Sequence, residues 1–444
     1  MTPAARVAAA IEVLGQIAAM PQPAERTVGD YMRSRRYIGA KDRRAVSDLV
    51  YAVLRARARL DWWLARAGLA GGAGLDNARR ATLAALVLGE GRSAAEIAAL
   101  CDGGRYHPAP LGAEERVMLD RLAGARLDDA AQPAAVRGEV PEWLYPDLAA
   151  ALGADCAAEL AALLSAAPVD LRVNSGKGDR ATALVALAEE GIAAAPTPLS
   201  PLGLRVAGRP NIGATRAYRD GLVELQDEGS QIVALLTDAR PGMAVADVCA
   251  GAGGKTLALA AAMTGTGRLV ALDVAQARLD RAAARLRRAD AGFVEHRGLA
   301  DTAWLAAHAG GFDRVLVDAP CSGSGAWRRQ PDARWRLTPG DLAHYMQSQR
   351  EILDTGAELV CQGGRLVYAT CSLLTAENEG QIDAFLARRA DFAVLPATAV
   401  WAATLVPLGA PAAPFAGPYL VLTPARHGTD GFFAAVLERR GEAA

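Results

Sequence analysis

From Thr2 to about Arg137 apolar residues recur at intervals of three and four, as in "AVSDLVYAVLRARARLDWWLARAGL", which gathers them on one face of successive helices. The pattern predicts an all-α bundle over residues 1–137. The Gly-rich stretch "GLAGGAGLDN" breaks it between two helices, and "AAQPAAVRGEVPEW", with Pro133 and Pro141, reads as a linker. Residues 138–230 carry mixed signals, among them a strand at "VDLRVNS", and predict a small α+β subdomain. After Gln231 the period changes. "AVADVCA", "RLVALDV", "GFVEHRG", "FDRVLVDAP" and "GRLVYATCS" are short apolar runs separated by helical stretches, and this alternation predicts a parallel, doubly wound α/β sheet over residues 231–444.

The totals narrow the function only a little. The 444 residues suffice for two or three domains. With 48 Lys+Arg against 49 Asp+Glu, the whole-chain charge favours no anionic partner, so local charge has to decide. The 6 cysteines include no C-x-x-C pair, and no His cluster has ligand spacing, so neither a metal site nor a disulfide framework is expected. Reduced thiols fit a cytoplasmic protein. No signal peptide and no membrane span is expected, because no uncharged apolar stretch reaches about 18 residues.

The loop "DVCAGAGGKT", Asp247 to Thr256, falls where the first strand of the sheet turns into a helix, and its glycines allow close backbone approach to a ligand. A phosphate-gripping Walker loop needs a glycine where Cys249 stands, and a dinucleotide fingerprint needs one at Thr256. An S-adenosylmethionine loop accepts the shorter arrangement and expects an acid at the end of the next strand for the ribose hydroxyls. Asp273 in "LVALDV" occupies that place. The alternative is a plain glycine turn beside a helix-capping acid.

Two cysteines stand at strand ends, Cys321 after Pro320 and Cys371 after Thr370. An arbitrary cysteine is more commonly a buried core thiol. A thiolate at the carboxyl end of a parallel strand, however, can attack an electrophilic carbon. C5 of a pyrimidine is a weak nucleophile until something adds to C6, and a cysteine is suited to that addition. A nearby acid must then neutralise charge developing on the ring, and Asp318 lies three residues before Cys321.

"DAPCSGSGAWRRQPD", "YATCSLLTAENE", "DVCAGAGGKT", "ELQDEGSQ" and "HGTDGFFAAVLER" together resemble the RsmB/Sun (NOP2/Sun-like) family of RNA 5-methylcytosine methyltransferases, from about Arg172 to Arg439. The helical segment containing "YIGAKDRRAVSDLVYAVLRARARLDWWL" is similar to the NusB-type RNA-binding domain of the bacterial RsmB branch. The resemblance implies a Rossmann-like S-adenosylmethionine methyltransferase domain. It further implies that Cys371 is the nucleophile, that Cys321 assists release of the adduct, and that Asp318 recognises cytosine. It places Cys249, Ala250, Gly251, Ala252, Gly253, Gly254, Lys255 and Asp273 around the cofactor, with Asp318 bordering it. Two departures stand out: Ala252 replaces a common proline, and the acid expected near the adenine is displaced to Asp301 in "HRGLADTAW".

RNA contacts are expected in two places. Between Arg26 and Arg66 there are eleven Lys or Arg and four Asp or Glu, a local basic excess that includes Arg35, Arg36, Arg43 and Arg44. "WRRQPDARWR", Trp327 to Arg336, interleaves aromatics and arginines just after Cys321, so Arg328, Arg329, Arg334 and Trp335 are expected along a single strand. A flipped or looped cytosine is the expected target. The resemblance points to small-subunit ribosomal RNA, and a monomer is expected. The same chemistry on tRNA, and a non-catalytic RNA-binding or assembly factor, are the alternatives; methylation of a nitrogen would not need two strand-end thiols.

Overall fold

A computed structural model describes residues 1–69 and 74–441. Residues 70–73, within the Gly-rich break, lie outside the described residues. The chain divides into two compact units. One comprises Met1–Ser165 together with Trp327–Leu337; the other comprises Ala166–Ala326 and Thr338–Ala444. These boundaries differ from the expected 1–137, 138–230 and 231–444. The helices Tyr145–Leu152 and Cys156–Ala162 belong to the first unit, where Leu144, Leu148, Leu160 and Leu163 are buried. Gly138 backs onto Leu160 so closely that a Cβ would come within 2.6 Å of its Cδ1. The α+β segment beyond Ser165 shares the second unit with the large sheet.

Among its described residues the first unit is built of helices without strands. Its opening helix, Pro3–Ala19, starts where the Thr2 hydroxyl accepts the Ala5 amide at 3.1 Å and Pro3 supplies a preset φ. Val7, Ala10, Ile11 and Leu14 follow at three- and four-residue steps and are all buried, as the apolar spacing requires. The helix Arg57–Arg66 has an unusual cap. Glu139, fully buried, accepts the Ala58 amide at 2.8 Å and the Arg59 amide at 3.1 Å, and pairs with Arg59 Nε at 2.9 Å. A carboxylate at a helix N-terminus satisfies orphan donors and complements the helix dipole.

Trp327–Leu337 is built into this same helical unit. Arg334, 1 % exposed, donates to the backbone oxygens of Glu139 at 2.9 Å and Leu163 at 3.3 Å. Asp332 accepts the Ala24 amide at 3.0 Å, and the Arg57 guanidinium lies 5.4 Å from the Trp335 ring.

The second unit holds two sheets. The smaller has β1 (Val169–Val173), β2 (Ala194–Pro196), β3 (Gly203–Val206) and β4 (Val223–Leu225) in the order β2-β3-β1-β4, all antiparallel. The larger begins with the five expected strands: β5 (Ala244–Val248), β6 (Arg268–Asp273), β7 (Glu295–Gly298), β8 (Phe312–Asp318) and β9 (Val360–Thr370). They run parallel in the order β7-β6-β5-β8-β9. The sheet is mixed rather than wholly parallel. Beyond β9 come β10 (Phe392–Leu395), β11 (Leu420–Leu422) and β12 (Phe432–Arg439), with β12 antiparallel to β9, β10 and β11.

Side chains alternate across the sheet: Val315 and Val317 enter one buried cluster with Val248 and Leu272, while Leu316 enters another with Val245 and Leu269. Both faces are covered, so the parallel strands read as continuous apolar runs. The strand order reverses between β5 and β8, which puts a crevice outside their carboxyl ends. Among the described residues no helix is long and apolar enough to cross a membrane, and no group of three or more His, Cys, Asp or Glu side chains is placed to hold a metal ion.

Candidate active site

The loop after β5 is held in a conformation that few residues adopt. Cys249, Gly251 and Gly253 have φ of +67°, +58° and +80°, in the left-handed region. For a non-glycine residue such as Cys249 that conformation costs about 1–3 kcal/mol and persists where the surroundings enforce it. At Gly253 glycine is required twice over, since a Cβ would also approach Ala282 Cβ to 2.9 Å. The helix Gly254–Ala262 starts immediately afterwards. Ala250 is buried and Ala252 exposed, and the Ala252 carbonyl accepts Arg285 Nη1.

Asp273, at the end of β6, is 1 % exposed and accepts the amides of Gly251 at 2.9 Å and Ala275 at 2.8 Å. It ties the loop down, and each of its oxygens keeps a second lone pair for a ligand hydroxyl. The bent glycine loop, open space beside Gly298 and the Asp273 carboxylate fit the ribose and backbone-approach demands of a nucleoside cofactor. Asp301 is exposed and caps the helix Thr302–Ala307 by accepting the Trp304 amide at 3.0 Å. Its displaced position has a structural explanation in that cap. Burial pushes the Cys249 thiol far up, with the negative charges of Asp318 and Asp273 adding to it, so this cysteine stays a neutral lining group.

Asp247 points into the sheet's interior, where it accepts the Thr256 hydroxyl at 2.6 Å while Oδ1 has no partner. Burial raises its carboxyl from 3.8 to about 7, against the opposing Thr256 hydrogen bond. The native state therefore holds a proton that the unfolded chain releases between those values. That contribution to stability is complete below about pH 4 and is lost as pH rises through about 7. Asp247→Asn is expected to flatten this dependence and to raise the melting temperature above wild type at pH 8, which differential scanning calorimetry at pH 5 and pH 8 would show.

Lys255 turns from the loop toward β8 rather than toward solvent. Its Nζ lies 2.7 Å from Asp318 Oδ2, with side-chain exposures of 9 % and 32 %. Burial works against the ammonium, but Asp318, and after it Cys371, more than offset this and hold its pKa above the usual lysine value. Next to this pair the two cysteines meet. Cys321 Sγ and Cys371 Sγ are 3.5 Å apart, and both thiols are free. The adjacent β8 and β9 deliver them, because the ladder runs on from Ala319 N to Ala369 O and Gly325 N bonds the Cys371 carbonyl at 2.9 Å. The hydrogen bond to Cys371, burial, and the charges of Cys371 and Glu377 drive the Cys321 thiol well above its ordinary value.

The expected chemistry-bearing residues of the second unit thus converge, but the expected RNA contacts do not. Arg334 and Trp335 are parts of the helical unit, and Arg334 spends its guanidinium on backbone carbonyls; burial, against the opposing charge of Glu139, pulls its pKa down to about 10. Arg334 is corrected from an RNA contact to an internal tie. Arg328 is 5 % exposed and so is not displayed to a phosphate backbone either, whereas Arg329 is exposed. In the basic segment Arg36 and Arg44 are exposed, while Arg35 pairs with Glu12 at 2.6 Å and stacks on Tyr31, and Arg43 donates to the Ile38 carbonyl.

One residue near the thiols had no expected role. Glu377, fully buried, receives hydrogen bonds from Ser322 and Ser372, the residues that follow the two cysteines. The only sequence signal was an acid six positions beyond Cys371.

Residues 234–438 match the family model described as 16S rRNA methyltransferase RsmB/F, and residues 140–213 match a second, the RsmF/B-like ferredoxin-like domain. The ribosomal RNA small subunit methyltransferase B of Xylella fastidiosa is 37% identical over 363 residues, covering 79% of this chain and 81% of that protein. The probable ribosomal RNA small subunit methyltransferase B of Bacillus subtilis is 33% identical, covering 71% and 70%. Among solved structures, PH0851 superposes with a TM-score of 0.79 at 25% identity over 99% of both chains. A methyltransferase homolog protein from Pyrococcus horikoshii gives 0.57 at 26% identity over 69% of this chain and 98% of its own. By these matches, with the glycine loop and the paired strand-end thiols within the matched residues, the chain belongs to the RsmB/F family of methyltransferases.

Proposed function

We propose that this methyltransferase forms 5-methylcytosine in RNA, most specifically in small-subunit ribosomal RNA, the substrate class named for its relatives, and that it works in the cytoplasm as a monomer. The observation that carries the reading is the 3.5 Å approach of Cys321 and Cys371 beside the Lys255–Asp318 pair. Cys249 to Lys255 and Asp273, with Asp301 and Asp318 at the border, would hold S-adenosylmethionine, which when bound would supply an electrophilic methyl group.

The remaining chemistry falls to the chain itself. The Cys371 sulfur, having given up its proton, would bond to C6 of cytosine as the ring's electron pair moves to C5, which would take the methyl group as the methyl–sulfur bond of S-adenosylmethionine breaks and S-adenosylhomocysteine leaves. Asp318, oriented by Lys255, would accept from the exocyclic amine, while the proton that the Lys255 ammonium shares with it would neutralise charge as it develops at N3. Once C5 carries both methyl and hydrogen, its proton must leave to a base as the C6–S bond breaks. Cys321, lying against Cys371, assists that elimination. Arg36, Arg44 and Arg329 remain candidates for the phosphate backbone.

The test is methyl transfer from isotopically labelled S-adenosylmethionine to small-subunit rRNA and to tRNA, read by mass spectrometry of the nucleosides. Labelled 5-methylcytidine from rRNA is expected. Label in tRNA alone would overturn the substrate, and absence of both transfer and calorimetric cofactor binding would favour the non-catalytic alternative.

A further inference from the structure

We propose that Glu377 is a positioning residue that sets the spacing of the two reactive thiols by gathering both cysteine-bearing loops onto one carboxylate. Glu377 ends the short turn Thr375–Glu377 and is 0 % exposed. Its Oε1 accepts the Ser322 amide at 2.8 Å and Gln349 Nε2 at 2.9 Å, and its Oε2 accepts the hydroxyls of Ser322 and Ser372, each at 2.5 Å. Ser322 directly follows Cys321, and Ser372 directly follows Cys371. One group therefore holds both loops one residue away from the sulfurs.

The chemistry of the cluster suits a clamp. A buried carboxylate is costly unless donors surround it, and here four do. Charge-assisted bonds to such an acceptor are short and directional, which fixes geometry more tightly than apolar packing would. The carboxylate is itself anchored, since the Tyr368 hydroxyl donates to the Glu377 carbonyl at 2.7 Å. Gln349, from the helix Pro339–Leu359, also donates to the Pro320 carbonyl at 2.9 Å, so the residue before Cys321 is held as well. Ser324 completes the brace: its hydroxyl lies 3.1 Å from that of Ser372 and accepts the Leu373 amide at 2.8 Å. The charge of Glu377 also helps to hold the Cys321 thiol in its protonated form.

The consequence for turnover rests on the proposed cytosine-5 chemistry, but sulfur spacing can be read without RNA. Diamide oxidises a facing thiol pair to a disulfide, each thiol losing one proton and one electron while the diazene is reduced to the hydrazine. In the full chain, peptide mass spectrometry should show Cys321–Cys371 pairing, with Glu377→Gln slowing it at least tenfold relative to alkylation of the same thiols by iodoacetamide, which carries any change in thiol reactivity. The same variant should lower kcat at least tenfold, with KM for RNA and the calorimetric Kd for S-adenosylmethionine within twofold of wild type. Should Glu377→Gln fail to fold, Ser322→Ala removes one of the four bonds and should slow both pairing and kcat several-fold, with Ser322→Thr restoring them.

Wild-type rates of pairing in Glu377→Gln, or a loss confined to stability or KM, would overturn the proposal. Slowed pairing in a chain that transfers no methyl group to any RNA would uphold the clamp and overturn the functional reading instead.

Discussion

Cys371→Ala is expected to abolish methyl transfer, a fall of roughly four orders of magnitude or more, while S-adenosylmethionine still binds. On the proposed chemistry, C5 of cytosine becomes nucleophilic only after a sulfur adds to C6. Cys321, whose sulfur lies 3.5 Å from that of Cys371, is the nearest substitute, yet burial and the charge of Glu377 still hold its thiol protonated once Cys371 is gone. The replacement also separates the two thiol roles. Cys321→Ala should leave addition intact and impair release, so that a protein–RNA adduct survives a denaturing gel. Cys371→Ala should give none. An adduct seen only with Cys371→Ala would reverse the assignment, and transfer at the wild-type rate without Cys371 would remove covalent catalysis altogether.

Lys255→Met is expected to slow single-turnover methyl transfer by roughly 10²- to 10³-fold. The argument is electrostatic. Lys255 is buried, and its ammonium is held by Asp318 at 2.7 Å. Removing Lys255 leaves the charge of Asp318, whose side chain is 32 % exposed, compensated by solvent alone. Asp318 would then lose the group that aims it, just where charge must be received from the cytosine ring. Lys255→Arg is not expected to restore the rate, because a planar guanidinium fork cannot occupy the volume of an ammonium. A rate within tenfold of wild type for Lys255→Met would show that the ion pair only supports the fold.

The catalytic sheet was legible because its signals are local. Five apolar runs of strand length, a glycine loop after the first and a small residue before each cysteine are all properties of neighbouring residues. What was not legible depends on distant partners. In "WRRQPDARWR" the arginines and tryptophans look like an exposed stacking surface, but the carbonyls that Arg334 satisfies belong to residues 195 and 171 positions away. No local pattern distinguishes a guanidinium in water from one buried against backbone oxygens. Glu377 was missed for the same reason. A lone acid in a loop reads as solvent-facing until the fold brings four donors to it. Asp301 shows the opposite case, since an acid three residues before the amide it accepts is the ordinary signature of a helix cap.

The placement of Trp327–Leu337 has a consequence for the inheritance of this protein. Because that segment is built into the helical unit while both of its flanks belong to the methyltransferase unit, the backbone passes between the units at Ser165, at Ala326 and again at Leu337. Recombination at a single junction would exchange one unit and leave Trp327, 1 % exposed, and Arg334 without the surroundings that bury them. To keep both buried, an exchange would have to carry the helices and the Trp327–Leu337 segment together.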